Sequence, residues 1–337
     1  MIKFSVFVFL VILSVSSCSR TEKYPNKQIV GTINGENIYS SEIDILIQQE
    51  IFDQLNQIYN IRGKALDAYI DLKLLDIESH KYNLSTDEFV DKYVQNVIDN
   101  IGVDSLYVKY ALDSQINIHG LNIAAVQKGS YDDKVNLRYK IKAGVTRDLI
   151  DSLRTNSNCE KYLYPPKSPN ISMNGLLAYY RGNLKSNVEF YIISDFDCNK
   201  CIESHSLYDS IYVAYKDRVK FGYVNFSATP TLAQLACNAA NEQGKFWSYH
   251  DSLYNQKTFI DSITVYTLAQ HLGLDINKFT KDLLSPIAAN NINETINKLV
   301  QNGIFATPTV VINKRLIYNS ASFSEISYLI EQELKKE

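Results

Sequence analysis

Two cysteines three residues apart lie in the stretch Asp195-Phe196-Asp197-Cys198-Asn199-Lys200-Cys201. The apolar run Val188 to Ile193 before them reads as a strand, and the residues after them, with Ile202, Leu207, Ile211 and Tyr212 at helical spacing, read as a helix. A Cys-x-x-Cys pair at a strand-to-helix junction constrains the fold more than any other feature of the chain. Cys198 falls at or just before the first helical turn, where free backbone N–H groups and the positive end of the helix dipole favour a thiolate. Cys201, one turn on along the same face, is positioned to close an internal disulfide. Lys200 adds a positive charge; Asp195 and Asp197 oppose it if they point inward.

The following sequence alternates as a sandwich of helices on a sheet requires. Val219-Lys220-Phe221-Gly222 opens a second β-prone run that continues to Phe226. Helical patterns fill about 230–302, starting with Leu232, Leu235, Ala239 and Ala240. A strand is expected at Pro308 to Ile312, a turn at Asn313-Lys314, a last strand at Leu316-Ile317-Tyr318 and a closing helix from Phe323 to Leu334. This order predicts an α/β sandwich with helices inserted in the middle.

Four groups of residues in this order resemble the DsbA-like branch of the thioredoxin family, over about residues 180–335. They are Ser194-Asp195-Phe196-x-Cys198-x-x-Cys201, His205 four residues further on, Gln243-Gly244-Lys245-Phe246-Trp247-x-x-His250-Asp251, and Ala306-Thr307-Pro308-Thr309. The resemblance implies a thioredoxin-like domain with an inserted helical bundle, Cys198 as nucleophile and Cys201 as the resolving thiol. It also implies a cis bond at Pro308, which faces the cysteines, and Thr307 paired with the substrate backbone, as an added strand pairs elsewhere. Asn199, Lys200 and His205 shape the site. Two positions depart from the branch. Asn199-Lys200 stands where proline usually follows the first cysteine, and Ile192 stands where a buried glutamate usually handles protons for the second. Glu189 lies on the same strand at the opposite parity and is expected to point to the other face. Oxidant, reductant and isomerase therefore all stay open.

The start of the chain reads as an export signal. Met1-Ile2-Lys3 precedes the apolar run Phe4 to Val15, too short to span a bilayer comfortably, and Val15-Ser16-Ser17-Cys18 closes it. This ending resembles the lipobox of bacterial lipoproteins, which implies cleavage before Cys18 and acylation of its thiol. Ser19 after it is similar to the outer-membrane sorting pattern. Disulfides persist in such a compartment. Cys159 and Cys237 remain, as one structural disulfide or as two buried thiols.

Between signal and redox pair, Asn34-Gly35 separates two short β-prone runs and predicts a hairpin. Ser41-x-x-Asp44 predicts a helix start, with one apolar face at Ile43, Ile47, Ile51, Leu55 and Ile58, and Gly63 is expected to interrupt it. Leu66, Ile70, Leu74 and Ile77 repeat the pattern. Ser85-x-x-Glu88 opens a third helix, and a fourth is expected from Ser130-x-x-Asp133 to about Leu153. His80 and His119 are isolated and are expected on the surface or in packing. Val30 to Ile38 with Ser41-Glu42-Ile43-Asp44, Tyr69 to Leu75 and Asn83-Leu84-Ser85 resembles the SurA amino-terminal chaperone domain over roughly residues 28–100. That resemblance implies a peptide-holding role; the alternative is a spacer.

The net charge of −3 and 21% charged residues give an ordinary surface with no basic excess for nucleic acid. The expected organisation is a signal at 1–17, a tether at 18–27, a helical domain with a small hairpin at 28–155, a linker rich in proline at 156–185 and the DsbA-like domain at 186–337. The expected activity is extracytoplasmic thiol–disulfide exchange with no cofactor beyond the Cys198–Cys201 disulfide and no metal. Its partners are unfolded or cysteine-containing exported proteins, a membrane redox partner and, through the acyl anchor, the bilayer. Two other readings compete. Cys198, Cys201 and His205 share a helix face on which copper or zinc could bind, with no obvious fourth ligand. Alternatively, the chain holds clients and its thioredoxin domain is inactive. His250 and His271 are read as structural.

Overall fold

The structure, a computed structural model, describes residues 28–111, 117–118, 121–122, 133–256 and 260–336. The signal 1–17, Cys18, the tether 18–27, His119 and Ser130 lie outside the described residues.

Strands β1 (Ile29–Ile33) and β2 (Glu36–Tyr39) form the expected antiparallel hairpin. Asn34 (φ 52°) and Gly35 (φ 88°) carry its turn in the left-handed region, which asparagine and glycine tolerate best. Helix α1 (Ser40–Leu46) starts one residue before the expected Ser41, and the Glu42 carboxylate accepts from the Tyr39 N–H at 2.9 Å. Ile47 breaks the run, and α2 (Gln48–His80) then continues for 33 residues. The interruption expected at Gly63 does not occur: the residues around it are good helix formers, and one glycine costs only about 1 kcal/mol within a long helix. Most of the predicted apolar face, Ile43, Ile47, Leu55 and Ile58, is exposed, whereas Gln49, Phe52, Leu74 and Leu75 are buried.

Helix α3 (Thr86–Ile101) begins with the capping box expected from Ser85 and Glu88. A short α4 (Val103–Leu106), a π-helical turn at Tyr107–Ala111 and the two-residue strands β3 (Asn117–Ile118) and β4 (Leu121–Asn122) lead to α5 (Asp133–Asn156). Leu75, Phe89, Val90, Val94, Ile141, Val145 and Leu149 form the core of this helical region.

The carboxy-terminal half is built on a five-stranded sheet. Its strands are β5 (Ala178–Gly182), β6 (Glu189–Ser194), β7 (Lys220–Asn225), β8 (Thr309–Ile312) and β9 (Arg315–Ile317), in the spatial order β5-β7-β6-β8-β9. Strand β6 runs parallel to β7 and antiparallel to β8. Helix α6 (Asn199–Tyr215) crosses between β6 and β7. Five helices lie between β7 and β8: α7 (Leu232–Asn241), α8 (Phe246–Tyr254), α9 (Ser262–His271), α10 (Ile276–Leu283) and α11 (Pro286–Gln301). Helix α12 (Phe323–Leu334) closes the chain at its expected bounds. The architecture is a thioredoxin-like α/β domain preceded by a mostly helical region with a small hairpin.

The span read as a linker contains structure that its prolines obscured. Ala178–Gly182 is the edge strand β5. Ile171 and Met173 are buried, the Ile171 N–H donates to the Lys314 carbonyl at 2.8 Å, and Ser168 Oγ donates to the Leu316 carbonyl at 2.9 Å. Side-chain parity explains the two faces of β6. Phe190 and Ile192 face the core shared with α6, α7, α8 and α12, while Tyr191 and Ile193 face a second core. That second core contains Leu299 of α11, Ile304 and Phe52, the last contributed by α2 of the amino-terminal region. Among the described residues, no helix is long and apolar enough to cross a membrane.

Candidate active site

Cys198 is the N-cap residue of α6, with extended backbone angles (φ −90°, ψ 117°), and its carbonyl accepts the first helical bond from Ile202 N–H at 3.0 Å. The Lys200 and Cys201 amides of the first turn, which lack helical acceptors, point to its sulfur. Cys198 is half-buried and Cys201 is buried. Burial pushes the Cys198 thiol up. Hydrogen bonds from the Cys201 thiol, from the Thr307 side chain and from the Cys201 and Lys200 amides outweigh it and hold Cys198 below the ordinary thiol value. Cys201 shifts the other way: burial, and its role as donor to Cys198, push it up to about 11. Both thiols are free, as are exposed Cys159 and fully buried Cys237, so the last two are not paired with one another.

The loop before β8 completes one side of the site. The Thr307–Pro308 peptide is cis, the form implied by the resemblance, and the Cys198 thiol donates to the Thr307 carbonyl at 3.6 Å. Thr307 and Pro308 are half-buried, and Thr309 is fully buried. Asn199 and Lys200 are exposed. Asp197 is also exposed, and Asp195 is half-buried, its carboxyl raised by desolvation. Glu189 takes the expected opposite face, accepting from Lys220 Nζ at 2.9 Å and from Tyr191 OH at 3.2 Å.

Ile192 is buried on the core-facing side of β6, and hydroxyls lie close to Cys201. Ser194 lies two residues on along the same strand face and hydrogen-bonds the Cys201 sulfur, an interaction that lowers the thiol's pKa. The Ser194 hydroxyl is 2.9 Å from Tyr254 OH, which is 3.2 Å from Tyr223 OH and also donates to the Asp195 carbonyl at 3.4 Å. Ser194 belongs to the motif that contains the cysteines, whereas Tyr223 and Tyr254 belong to no motif in the sequence. No local signal distinguishes two tyrosines on different elements among the chain's 24.

His205 stacks on Tyr254, with centroids 4.5 Å apart and 12° between planes, and its charged neighbours are Asp251, Asp209 and Arg181. Tyr254 in turn lies 2.9 Å from the Ser194 hydroxyl. His250, read as structural, is buried among Phe196, Tyr223, Phe246, Trp247 and Tyr254. Its Nδ1 lies 2.8 Å from the Asp251 carboxylate, and burial pulls its pKa down to about 4 against the pull of that carboxylate. Among the described residues, no three His, Cys, Asp or Glu side chains gather in a metal-binding arrangement.

Residues 178–332 match the family model described as Thioredoxin. Disulfide bond formation protein D of Bacillus subtilis is 29% identical over 165 residues, covering 44% of this chain and 72% of that protein. A Na(+)/H(+) antiporter NhaA of Herminiimonas arsenicoxydans is 25% identical over 171 residues, covering 50% of this chain; the chain spans only 27% of that relative's length. The crystal structure of oxidised BdbD from Bacillus subtilis superposes with a TM-score of 0.43 at 25% identity, covering 50% of this chain and 98% of that one.

Proposed function

We propose that the chain is an extracytoplasmic thiol–disulfide oxidoreductase acting on cysteines of exported proteins through Cys198 and Cys201. The observation that carries this reading is the asymmetry of the pair. One thiol is accessible and held below its ordinary pKa at a helix start; the other is buried and raised to about 11. The Cys198 thiolate attacks one sulfur of a substrate disulfide, forming a mixed disulfide and releasing a substrate thiolate. Cys201 then loses its proton and attacks Cys198 Sγ, closing the internal disulfide and releasing the second substrate thiolate. Two electrons pass from the pair to the substrate, and the reverse sequence oxidises a substrate dithiol. Direction follows from the reduction potential of the pair relative to its compartment. The similarity to a protein named for disulfide bond formation supports this chemistry.

In this reading Cys18 carries the lipid, Ser19 directs the chain to the outer membrane, and a membrane redox partner restores the pair. The helical region holds unfolded clients. The exposed apolar side chains of Ile43, Ile47, Leu55, Ile58 and Ile61 support that role. The test of the enzyme reading is disulfide exchange with a cysteine-containing test protein. Cys198→Ser abolishes exchange, and Cys201→Ser accumulates the mixed disulfide. Equal activity in wild type and Cys198→Ser overturns the reading.

A further inference from the structure

The first turn of α2 reaches across the molecule to the loop that carries Thr307 and Pro308. Gln49 is separated from that loop by more than 250 residues of sequence, yet it is buried against it. Its side-chain oxygen accepts from the Phe305 N–H at 2.9 Å and from the Ala306 N–H at 3.4 Å. Its side-chain N–H donates to Thr309 Oγ1 at 2.7 Å, and that hydroxyl donates on to the Ala306 carbonyl at 2.7 Å. Loop amides ahead of a strand have no ladder partner, and a buried amide left unpaired is costly. A glutamine supplies an acceptor with two lone pairs and a donor from one planar group.

The neighbouring residues show that the contact is built into the fold. Gln48 Nε2 donates to the Asn302 carbonyl at 2.6 Å. Phe52, one turn on from Gln49, fills the core with Leu299, Ile304 and Val311. Gly303 has φ +67°, and a Cβ there would lie 2.2 Å from the Ile45 carbonyl oxygen, so the close approach of α1 needs a residue without one. Within the loop, between the residues that Gln49 holds, the Thr307 carbonyl meets the Cys198 thiol.

We infer that Gln49 is a positioning residue: it clamps the Phe305–Thr309 loop in the place where an extended substrate pairs beside Cys198. This rests on the oxidoreductase reading and gives the helical region a direct part in it. The clamp acts on the substrate backbone, so its loss separates peptide substrates from small disulfides, which have no backbone to pair.

The experiment uses the full chain carrying Cys201→Ser, which stops at the mixed disulfide. It compares the rate of attack by Cys198 on an extended peptide disulfide with that on 5,5′-dithiobis(2-nitrobenzoate). Gln49→Met, which keeps the length and removes the polar atoms, lowers the peptide rate about tenfold, the scale of one lost hydrogen bond, and leaves the small-disulfide rate within about twofold. Gln49→Glu keeps the acceptor and gives an intermediate peptide rate; it also supplies the comparison if Gln49→Met does not fold. An unchanged peptide rate, or an equal fall in both rates, overturns the inference. If wild type exchanges with neither disulfide, the oxidoreductase reading fails. The clamp is then read from hydrogen exchange alone, and unaltered protection of the Phe305 and Ala306 amides in Gln49→Met overturns it.

Discussion

Ile192 and Ser194 face the same side of β6, two residues apart, and Ser194 hydrogen-bonds the Cys201 sulfur. Ile192 offers no base. Ser194 offers a hydroxyl already held by Tyr254 at 2.9 Å, so it is oriented without freezing a free rotor when Cys201 ionises. Removing it in Ser194→Ala takes a hydrogen bond from the thiolate and raises the Cys201 pKa by roughly one unit. The thiolate fraction near neutral pH falls about tenfold, while the more basic thiolate is about threefold more nucleophilic, so resolution slows about threefold. Stopped-flow measurement of product release from the mixed disulfide across pH checks this. Alkylation of Cys198 is expected to change little, since its lowered pKa also draws on Thr307 and the helix amides.

Two glycines show how α1 and α2 are tuned as elements. Gly63 lies within α2, where a Cβ would meet Leu163 at an ordinary 3.8 Å. Gly63→Ala therefore gains helix propensity without strain and stabilises the protein by roughly 0.5–1 kcal/mol, read as a higher midpoint in urea. Gly303 is the opposite case, with positive φ and a carbonyl oxygen at 2.2 Å from a built Cβ. Gly303→Ala destabilises by about 2 kcal/mol or more, because both the backbone and the seat of α1 must shift. The helix pattern in the sequence identified a face on α2 but not its burial. Leu55 and Ile58 satisfy the period and stand in solvent, whereas Gln49, a polar residue off that face, is buried because the loop amides of Phe305 and Ala306 require it.

At the scale of the whole molecule, α2 belongs to two cores. Phe52 packs in the core under the sheet, and Leu75, nearer the other end of α2, packs in the helical region. A cut at residue 155 would leave the sheet without one of its core side chains. Acid stability is likewise shared across elements. His250 of α8, with Asp251 and the Arg181 guanidinium of β5 nearby, stays neutral in the fold down to about pH 4, whereas the unfolded chain protonates it near 6.5. Between those values the unfolded state binds more protons, so stability falls as pH falls through that window. His205, also lowered by burial, adds to the same trend, and Asp195, raised by burial, opposes it. Thermal melts from pH 7 to 4 should therefore show a declining midpoint, with a shallower decline in His250→Phe.

The sequence by itself determined the parts whose cause is local. Asn34-Gly35 specified its turn by backbone freedom, and Ser85 with Glu88 specified a helix start by capping. The parity of β6 separated Ile192 from Glu189, and Cys198 and Cys201 fell at the strand-to-helix junction. Strand β5 escaped because Pro165, Pro166 and Pro169 make its approach read as linker, and an edge strand needs a partner, β7, to be a strand at all. The tertiary structure alone decided what depends on groups far apart in sequence. It brought Tyr254 and Tyr223 to Ser194, enclosed His250 in aromatic rings and set Gln49 against the loop at Thr307. Hydrogen bonds of this kind leave no period or spacing in the chain, because each forms only when burial removes the water that would otherwise satisfy the group.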